Sequence, residues 1–294
     1  MDIIKMGYHW TFQEIFELVN NQDKIRERAG KDTVIFNAPQ IRNDPKKLFF
    51  LRDCLVDVED AMHQFAYQDI YINYLELIAF FSVDSNDTWI VEHFSNQLIM
   101  KLSYFINSLQ HKCDEQNLSL VKILLNCSIF LRAEFLSKIG QNLEALNHLK
   151  QIILDDPVAK SWNVALLPIF SEDKHYLTHH YSNEKFERVV QIKTAVTLIA
   201  LAKELRKQPV TNETIKQQFD YLKESLELAT MSEDRFLIAK CKHSIGIVHE
   251  ANNRVDISLL YEREFYEIAQ EINNSDTLIE ASLSLANALA KYDE

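Results

Sequence analysis

Residues 221–229, YLKESLELA, return 40 residues later as residues 261–269, YEREFYEIA. The leading Tyr, the central Glu and the closing Glu-aliphatic-Ala triplet coincide, and the register continues to Ile245-Gly246 and Leu285-Ala286. A fixed period of this length is typical of stacked helical repeats, which bind partners along extended surfaces. The repeat therefore predicts a helical array and favours a binding function over catalysis.

Composition favours an all-α chain. The 294 residues include only 4 Gly and 5 Pro, while 47% are hydrophobic. A β-sandwich or barrel needs many more turn-forming residues to separate its short strands. The length suffices for a sizeable core in one long domain or two ordinary ones. The sequence therefore predicts an all-α fold.

Acidic residues outnumber basic ones, and the formal net charge is −12. From Val210 to Glu294, 8 Lys and Arg stand against 16 Asp and Glu, so this part alone carries a net charge of −8. A nucleic-acid-binding surface requires the opposite sign, so we expect no nucleic-acid partner. The acidic side chains form either the solvated face of helices or a docking surface for a basic partner.

The chain shows no signature of secretion or membrane insertion. Its start, MDIIKMGYHW, lacks an uninterrupted apolar segment, and the longest apolar run, about 118–131, is interrupted by Lys122. The cysteines are scattered and form no CxxC pair: Cys54, Cys113, Cys127 and Cys241. We expect an intracellular protein with reduced thiols and no membrane insertion.

The N-terminal 44 residues are predicted to differ from the rest. Thr11 and Glu14 form a capping-box pattern at the start of a helix that Gly30 ends. Residues 31–43 are predicted to be extended, so residues 1–44 form an N-terminal helix and arm.

Residues 45–294 are predicted to form the main helical array, which Asp44 and Pro45 open as N-cap and first helical residue. After this first helix, apolar residues at helical spacing mark the further ones. The predicted ranges are about 67–81, 87–111, 118–138, 184–207, 213–231, 233–251, 254–272 and 276–292.

Residues 138–157, KIGQNLEALNHLKQIILDDP, match the second half of a tetratricopeptide unit. Gly140 lies at the turn between the two helices, Ala145 is the small residue where they cross, and Pro157 closes the second helix. Together with the 40-residue period, this segment predicts a tetratricopeptide-like right-handed superhelix of antiparallel helix pairs. An irregular insertion is expected at about 158–183, where the helical pattern lapses.

Two groups of residues are candidates for catalytic or metal-binding chemistry. His175, His179 and the adjacent His180 lack a Cys, Asp or Glu at a recognised metal-ligand spacing, so a polar loop is favoured. His111 and Cys113 lie among acidic residues, which oppose activation of a thiol. Nucleotide-binding and hydrolase motifs are absent from the sequence. We therefore expect no enzyme activity, no cofactor and no metal.

The order of motifs resembles one family. Residues 51–71, LRDCLVDVEDAMHQFAYQDIY, precede DTWIVEHF at residues 87–94, and SKIGQNLEAL at residues 137–146 precedes the LELA and YEIA repeats. This series is similar to the tetratricopeptide repeat protein 29 family of motile cilia and sperm flagella, from about Leu48 onward. Family members continue through further repeats, and Ser258 and Gln218 stand where Ala is usual. A divergent, C-terminally shortened member is therefore expected.

The resemblance implies a non-catalytic scaffold that binds other proteins. It further implies an axonemal component that supports dynein-arm assembly or docking on doublet microtubules, found in the cytoplasm and in the axoneme of a cilium or flagellum. The alternative is a soluble tetratricopeptide adaptor outside the cilium, in transport or peptide sensing.

Five residues are candidates for partner binding. Leu285, Leu289 and Tyr292 share one stripe of the last predicted helix. This stripe either packs on the preceding 254–272 helix or receives a helix from another protein. Trp10 and Trp162 lie in stretches predicted to be irregular, where an aromatic side chain can anchor a partner.

Overall fold

The computed structural model describes residues 3–29, 40–81, 87–109, 115–152 and 185–292, which fall into two compact units. The N-terminal unit contains α1 (His9–Ala29), α2 (Pro45–His63), α3 (Tyr67–Phe81), α4 (Thr88–Leu109) and α5 (Glu115–Lys138), with a 3₁₀ helix at Ile41–Asn43. The C-terminal unit contains α6 (Asn142–Leu149), α7 (Phe186–Leu205), α8 (Asn212–Met231), α9 (Arg235–Ala251), α10 (Val255–Ile272) and α11 (Ser275–Tyr292).

Helices that follow one another in sequence pack against one another within each unit. The described residues contain no β-strand. The all-α, tetratricopeptide-like fold predicted from the 40-residue repeat is therefore confirmed. The predicted ranges from 67–81 to 276–292 agree with the structure to within a few residues, and the range 67–81 agrees at both ends. The helix that Pro157 is predicted to close ends earlier, at Leu149, and Pro157 itself lies outside the described residues.

The N-terminal unit is built around large apolar side chains that are fully buried, among them Leu55, Tyr74, Phe81 and Phe94. Its second helix begins as predicted: the Asp44 carboxylate accepts hydrogen bonds from the backbone N–H groups of Lys46 and Lys47, and Pro45 occupies the first helical position.

The predicted start of α1 is wrong. The helix begins at His9, so Thr11 lies inside its first turn, and the Thr11 hydroxyl donates to the Leu55 carbonyl oxygen of α2 at 3.0 Å. The Glu59 carboxylate of α2 caps the helix instead. It accepts the backbone N–H of Trp10 at 3.1 Å and that of Thr11 at 2.9 Å. Glu14 does not bond back to the helix start but accepts from His93 of α4 at 2.8 Å.

Turns in the C-terminal unit recur every 20 residues. Glu233, Asn253 and Asn273 follow α8, α9 and α10, and each adopts a left-handed backbone with φ between 54° and 56°. This conformation reverses the chain in two or three residues and is a common helix terminator. One helix with its turn therefore spans 20 residues, and two of them make up the 40-residue period.

The core of the C-terminal unit is formed mainly by small and branched side chains from α7, α8 and α9. Ala195, Ala202 and Ala229 let these helices approach closely, while Leu222 and Ile245 fill the space between them. Gly140, which precedes α6, has φ +84°, as the predicted turn requires.

Part of the predicted N-terminal arm is helical rather than extended, since Ile41–Asn43 form a 3₁₀ turn. The backbone N–H of Ile41 donates to the Gln22 side chain of α1, which fixes this turn locally. The rest of the arm and the insertion expected at about 158–183 lie outside the described residues.

Among the described helices, none combines the length and apolar character needed to cross a lipid bilayer.

Candidate protein-binding surface of the C-terminal unit

The contact between α9 and α10 shows how one helix pair of this array is built. Ala239 of α9 forms a buried cluster with Phe265 and Ala269 of α10 and with Ala281 of α11. The small residues allow close approach of the helix axes, and the Phe265 ring fills the space that they leave. Three consecutive helices are thereby joined at one point.

A buried carboxylate lies next to this cluster. The Glu262 side chain of α10 is almost completely inaccessible, and both of its oxygens lie 3.1 Å from Nδ1 of His243 on α9. The His243 ring also stacks on Phe265, with ring centroids 4.7 Å apart. A buried charge is tolerated only with such a partner, so the His243–Glu262 pair fixes the register between α9 and α10.

Gly246 makes room for this carboxylate. A Cβ atom at Gly246 would lie 2.7 Å from Oε1 of Glu262, which is closer than real Cβ contacts allow. On the other side of the imidazole, Nε2 of His243 lies 3.9 Å from Oε1 of Glu280 on α11, and that carboxylate is exposed. His243 therefore lies between a buried and an exposed acid.

Helix α11 has two different faces. Thr277, Ala281 and Ala288 are buried, and Ala281 belongs to the cluster with Phe265 and Ala269. On the opposite face, the side chains of Ile279 and Leu283 are 59% and 62% exposed, and Ala286 and Ala290 are exposed as well. We call these four residues, Ile279, Leu283, Ala286 and Ala290, the outer stripe.

The stripe predicted from the sequence lies beside the outer stripe. Leu285 is half-buried, whereas Leu289 is 37% exposed and Tyr292 56% exposed. The buried face of α11 is thus formed by small residues such as Ala281 and Ala288, and not by these larger side chains. The partner-binding role of Leu285, Leu289 and Tyr292 stays a prediction.

Trp10 lies in the first turn of α1, and not in an irregular stretch as expected. Its side chain is half-buried, and α1 presents Phe12 and Phe16 to solvent as a stacked pair with centroids 6.2 Å apart. Trp162 lies outside the described residues. The role of Trp10 and Trp162 in partner binding also stays a prediction.

The polar contacts of α1 set the protonation of two acids. Burial raises the pKa of Glu59, but the hydrogen bonds from Thr11 and Trp10 outweigh that effect and hold it below its ordinary value. The hydrogen bond from His93 likewise lowers the pKa of Glu14. Both acids are therefore charged at neutral pH and hold α1 against α2 and α4.

The described thiols are poor candidates for chemistry. Burial raises the pKa of Cys127 well above its ordinary value and that of Cys241 to about 11, so neither forms a reactive thiolate at neutral pH. Within the described ranges, His, Cys, Asp and Glu side chains form no group of three that could hold a metal ion. The histidines at 175, 179 and 180, and the pair His111 and Cys113, lie outside these ranges.

The outer stripe was not predicted from the sequence, although the 40-residue repeat gives its position. That register places Ile279, Leu283 and Ala286 at the positions of Ala239, His243 and Gly246. These three residues of α9 contact α10. The i, i+4, i+7 spacing of Leu285, Leu289 and Tyr292 indicates the neighbouring stripe instead.

Comparison with known proteins gives one consistent result. The chain is 21% identical to human tetratricopeptide repeat protein 29 over 295 residues, which cover 100% of this chain and 55% of that protein. The Macaca fascicularis protein of the same name is 21% identical over 290 residues, or 98% of this chain and 54% of its own length. The Rattus norvegicus protein is 30% identical over 94 residues, which cover 32% of this chain.

The chain spans about half the length of the curated relatives that it matches along most of its sequence. No protein-family model matches it. The resemblance expected from residues 51–71, 87–94 and 137–146 is confirmed, since nearly the whole chain is similar to tetratricopeptide repeat protein 29.

Proposed function

We propose that this protein is a non-catalytic scaffold of the axoneme in motile cilia or sperm flagella, where it supports the assembly or docking of dynein arms on doublet microtubules. The observation that carries the proposal is the similarity to tetratricopeptide repeat protein 29 along nearly the whole chain. Repeats of this type bind proteins on the faces of stacked helices.

The surface of the C-terminal unit is consistent with a scaffold. Apolar side chains on α11 are exposed, and exposed apolar surface on a folded protein often marks an interaction site. The helices are joined to one another by buried contacts such as the Ala239–Phe265 cluster, so they present these side chains on a preorganised framework.

Localisation of the tagged full chain in cells that carry motile cilia or flagella tests the proposal. The expected result is signal along the axoneme that survives removal of the membrane by detergent. Signal confined to the cell body would contradict the axonemal role and favour an adaptor outside the cilium.

A further inference from the structure

The turn between α2 and α3 is closed by the same backbone hydrogen bonds as two turns of the C-terminal unit. Phe65 adopts a left-handed backbone with φ 56°, and the N–H group of Ala66 donates to the carbonyl oxygen of Ala61 at 2.9 Å. At Glu233 and Asn253, the N–H groups of residues 234 and 254 likewise donate to carbonyl groups five positions earlier. This pattern of hydrogen bonds requires a left-handed residue at position 65.

Phenylalanine is an unfavourable residue for this conformation. Gly adopts it most readily, and Asn is the next most common choice, because the Cβ atom of other residues lies too close to the following carbonyl oxygen. Asn occupies the corresponding positions at Asn253 and Asn273. Among the described non-Gly residues with positive φ, Phe65 alone is aromatic. The turn therefore contains a strained residue where Asn or Gly would fit better.

Burial of the ring does not offset this strain. Phe65 is 74% exposed, and Tyr67, the first residue of α3, is 55% exposed. We call Phe65 and Tyr67 the aromatic turn. Two large aromatic side chains thus lie in water, one of them on a strained backbone, and the fold gains little from either. A residue that costs the fold stability without a compensating contact is typical of a functional site.

The helices on both sides of the aromatic turn are acidic. No Lys or Arg occurs between Arg52 and Lys101, whereas this stretch contains nine Asp and Glu residues. Asp69 lies exposed in the first turn of α3 and has no ion-pair partner within the described ranges. Asp60, in the last turn of α2, accepts a hydrogen bond from a neutral tyrosine hydroxyl. The aromatic turn is therefore bordered by negative charge.

This charge distinguishes among the surfaces that could cover the rings. Anionic lipid surfaces and the phosphates of nucleic acids are both repelled by it. A second copy of the chain, with its net charge of −12, is disfavoured for the same reason. A protein with an apolar pocket bordered by Lys or Arg fits best, because the pocket removes the rings from water and the cations face the acids.

We propose that the aromatic turn binds a partner protein by inserting Phe65 into an apolar pocket bordered by Lys or Arg residues, with Tyr67 packing at the edge of that pocket. Phe65 then lowers the stability of the free chain and contributes affinity in the complex. The proposal rests on the scaffold function proposed above, and it names the surface and the chemistry of the partner.

Phe65→Asn separates binding from folding, because Asn suits the left-handed backbone. This variant is expected to melt at the same temperature as the wild-type protein or at a higher one, as measured by circular dichroism. A melting temperature lower by more than about 2 °C would show that the ring contributes to the fold, and the proposal would then be wrong.

Photo-crosslinking of the full chain in the native cell tests what covers the aromatic turn. A photoreactive phenylalanine analogue replaces Phe65 or, as a matched control, Phe49 of α2, which is 53% exposed. Position 65 is expected to give the higher yield, with crosslinks to partner residues that line an apolar pocket bordered by Lys or Arg. Crosslinks to lipid, to a second copy, to another segment of the same chain or to an acidic surface would overturn the proposal, as would yields no higher than from position 49.

Titration calorimetry with the purified partner then measures the contribution of each residue. Phe65→Asn is expected to weaken binding about tenfold or more, while Phe49→Asn leaves it within about twofold. Asp69→Asn is expected to weaken binding about threefold and to reduce its dependence on salt. Equal effects at positions 65 and 49 would rule out the aromatic turn as the anchor, and an unchanged salt dependence in Asp69→Asn would rule out the basic border.

The two proposals fail in different ways. If the wild-type protein stays with the axoneme and Phe65→Asn does so equally well with unchanged affinity for the partner, the aromatic turn is not an anchor and the scaffold function stands. If the wild-type protein is absent from the axoneme but position 65 still crosslinks a pocket with a basic border, the axonemal role is wrong and the anchor stands.

Discussion

At the scale of single residues, the C-terminal unit depends on a close fit between Gly246, His243 and Glu262. The carboxylate fills the space where a side chain at position 246 would be, and its two oxygens share the contact with Nδ1 of His243. When one of the three residues is replaced, the other two lose the contact that made their arrangement favourable. The fit therefore predicts that substitutions at these positions have non-additive effects on the free energy of unfolding.

Gly246→Ala is expected to lower the free energy of unfolding by about 1–3 kcal/mol, because the new methyl group forces the Glu262 carboxylate away from His243. In a Glu262→Ala background the same change is expected to be neutral or stabilising, since Ala favours a helix over Gly by about 1 kcal/mol. Urea denaturation of the four proteins in this cycle measures the coupling. Additive effects of the two changes would show that the carboxylate does not occupy this space.

A second residue-scale prediction concerns His249, which stacks on Tyr261 with centroids 5.6 Å apart. Among the described residues, its Nδ1 atom has no hydrogen-bond partner. Burial, and then the positive charge of Arg254, lower its pKa in the folded protein. The unfolded chain therefore binds a proton more readily, so folding stability falls as the pH drops below about 6.5, the ordinary histidine value.

His249→Phe is expected to keep the ring stacking and to reduce the loss of melting temperature between pH 8 and pH 5.5. Circular dichroism melts at the two pH values provide the measurement, and His63→Gln at an exposed position is the control. If the melting temperature of His249→Phe depends on pH as strongly as that of the wild-type protein, folding does not lower the pKa of His249.

At the scale of elements, helix α1 is attached to the N-terminal unit through polar contacts made at its own first turn. Glu59 caps the helix from α2, and Tyr8 donates to Asp60 at 3.1 Å. Because the cap comes from a residue 48 positions away in sequence, the formation of α1 is tied to the presence of α2.

Glu59→Ala is expected to lower the free energy of unfolding by about 1–3 kcal/mol, since two backbone N–H groups lose a charged acceptor. Amide hydrogen exchange should rise in the first turns of α1, while α9 to α11 stay protected. Asp53→Ala, which removes an exposed acid from the same helix, is expected to change stability by less than about 0.5 kcal/mol. Equal effects of the two substitutions would argue against the cap.

The elements themselves were largely predictable, and their contacts only in part. Helical spacing identified α3 and α8 to α11, because each carries its own apolar pattern and turn residues. The cap of α1 escaped prediction, since Thr11 and Glu14 fit a local rule while the actual acceptor, Glu59, comes from another helix. Similarly, spacing alone located apolar faces on α11 but did not show that Ala281, rather than Leu285, packs against Phe265.

At the scale of the whole molecule, negative charge and similarity to a known protein are the dominant features. The net charge of −12, with −8 of it from Val210 onward, is consistent with a basic partner rather than with nucleic acid. Nearly the entire chain is similar to tetratricopeptide repeat protein 29. The helices and the exposed outer stripe fit a protein that holds other proteins in place.

The most direct measurement of this central claim is the fraction of the tagged full chain that sediments with demembranated axonemes in cells expressing it at its natural level. The scaffold function predicts that most of the wild-type protein sediments with the axonemes. Wild-type protein recovered entirely in the supernatant would contradict an axonemal scaffold.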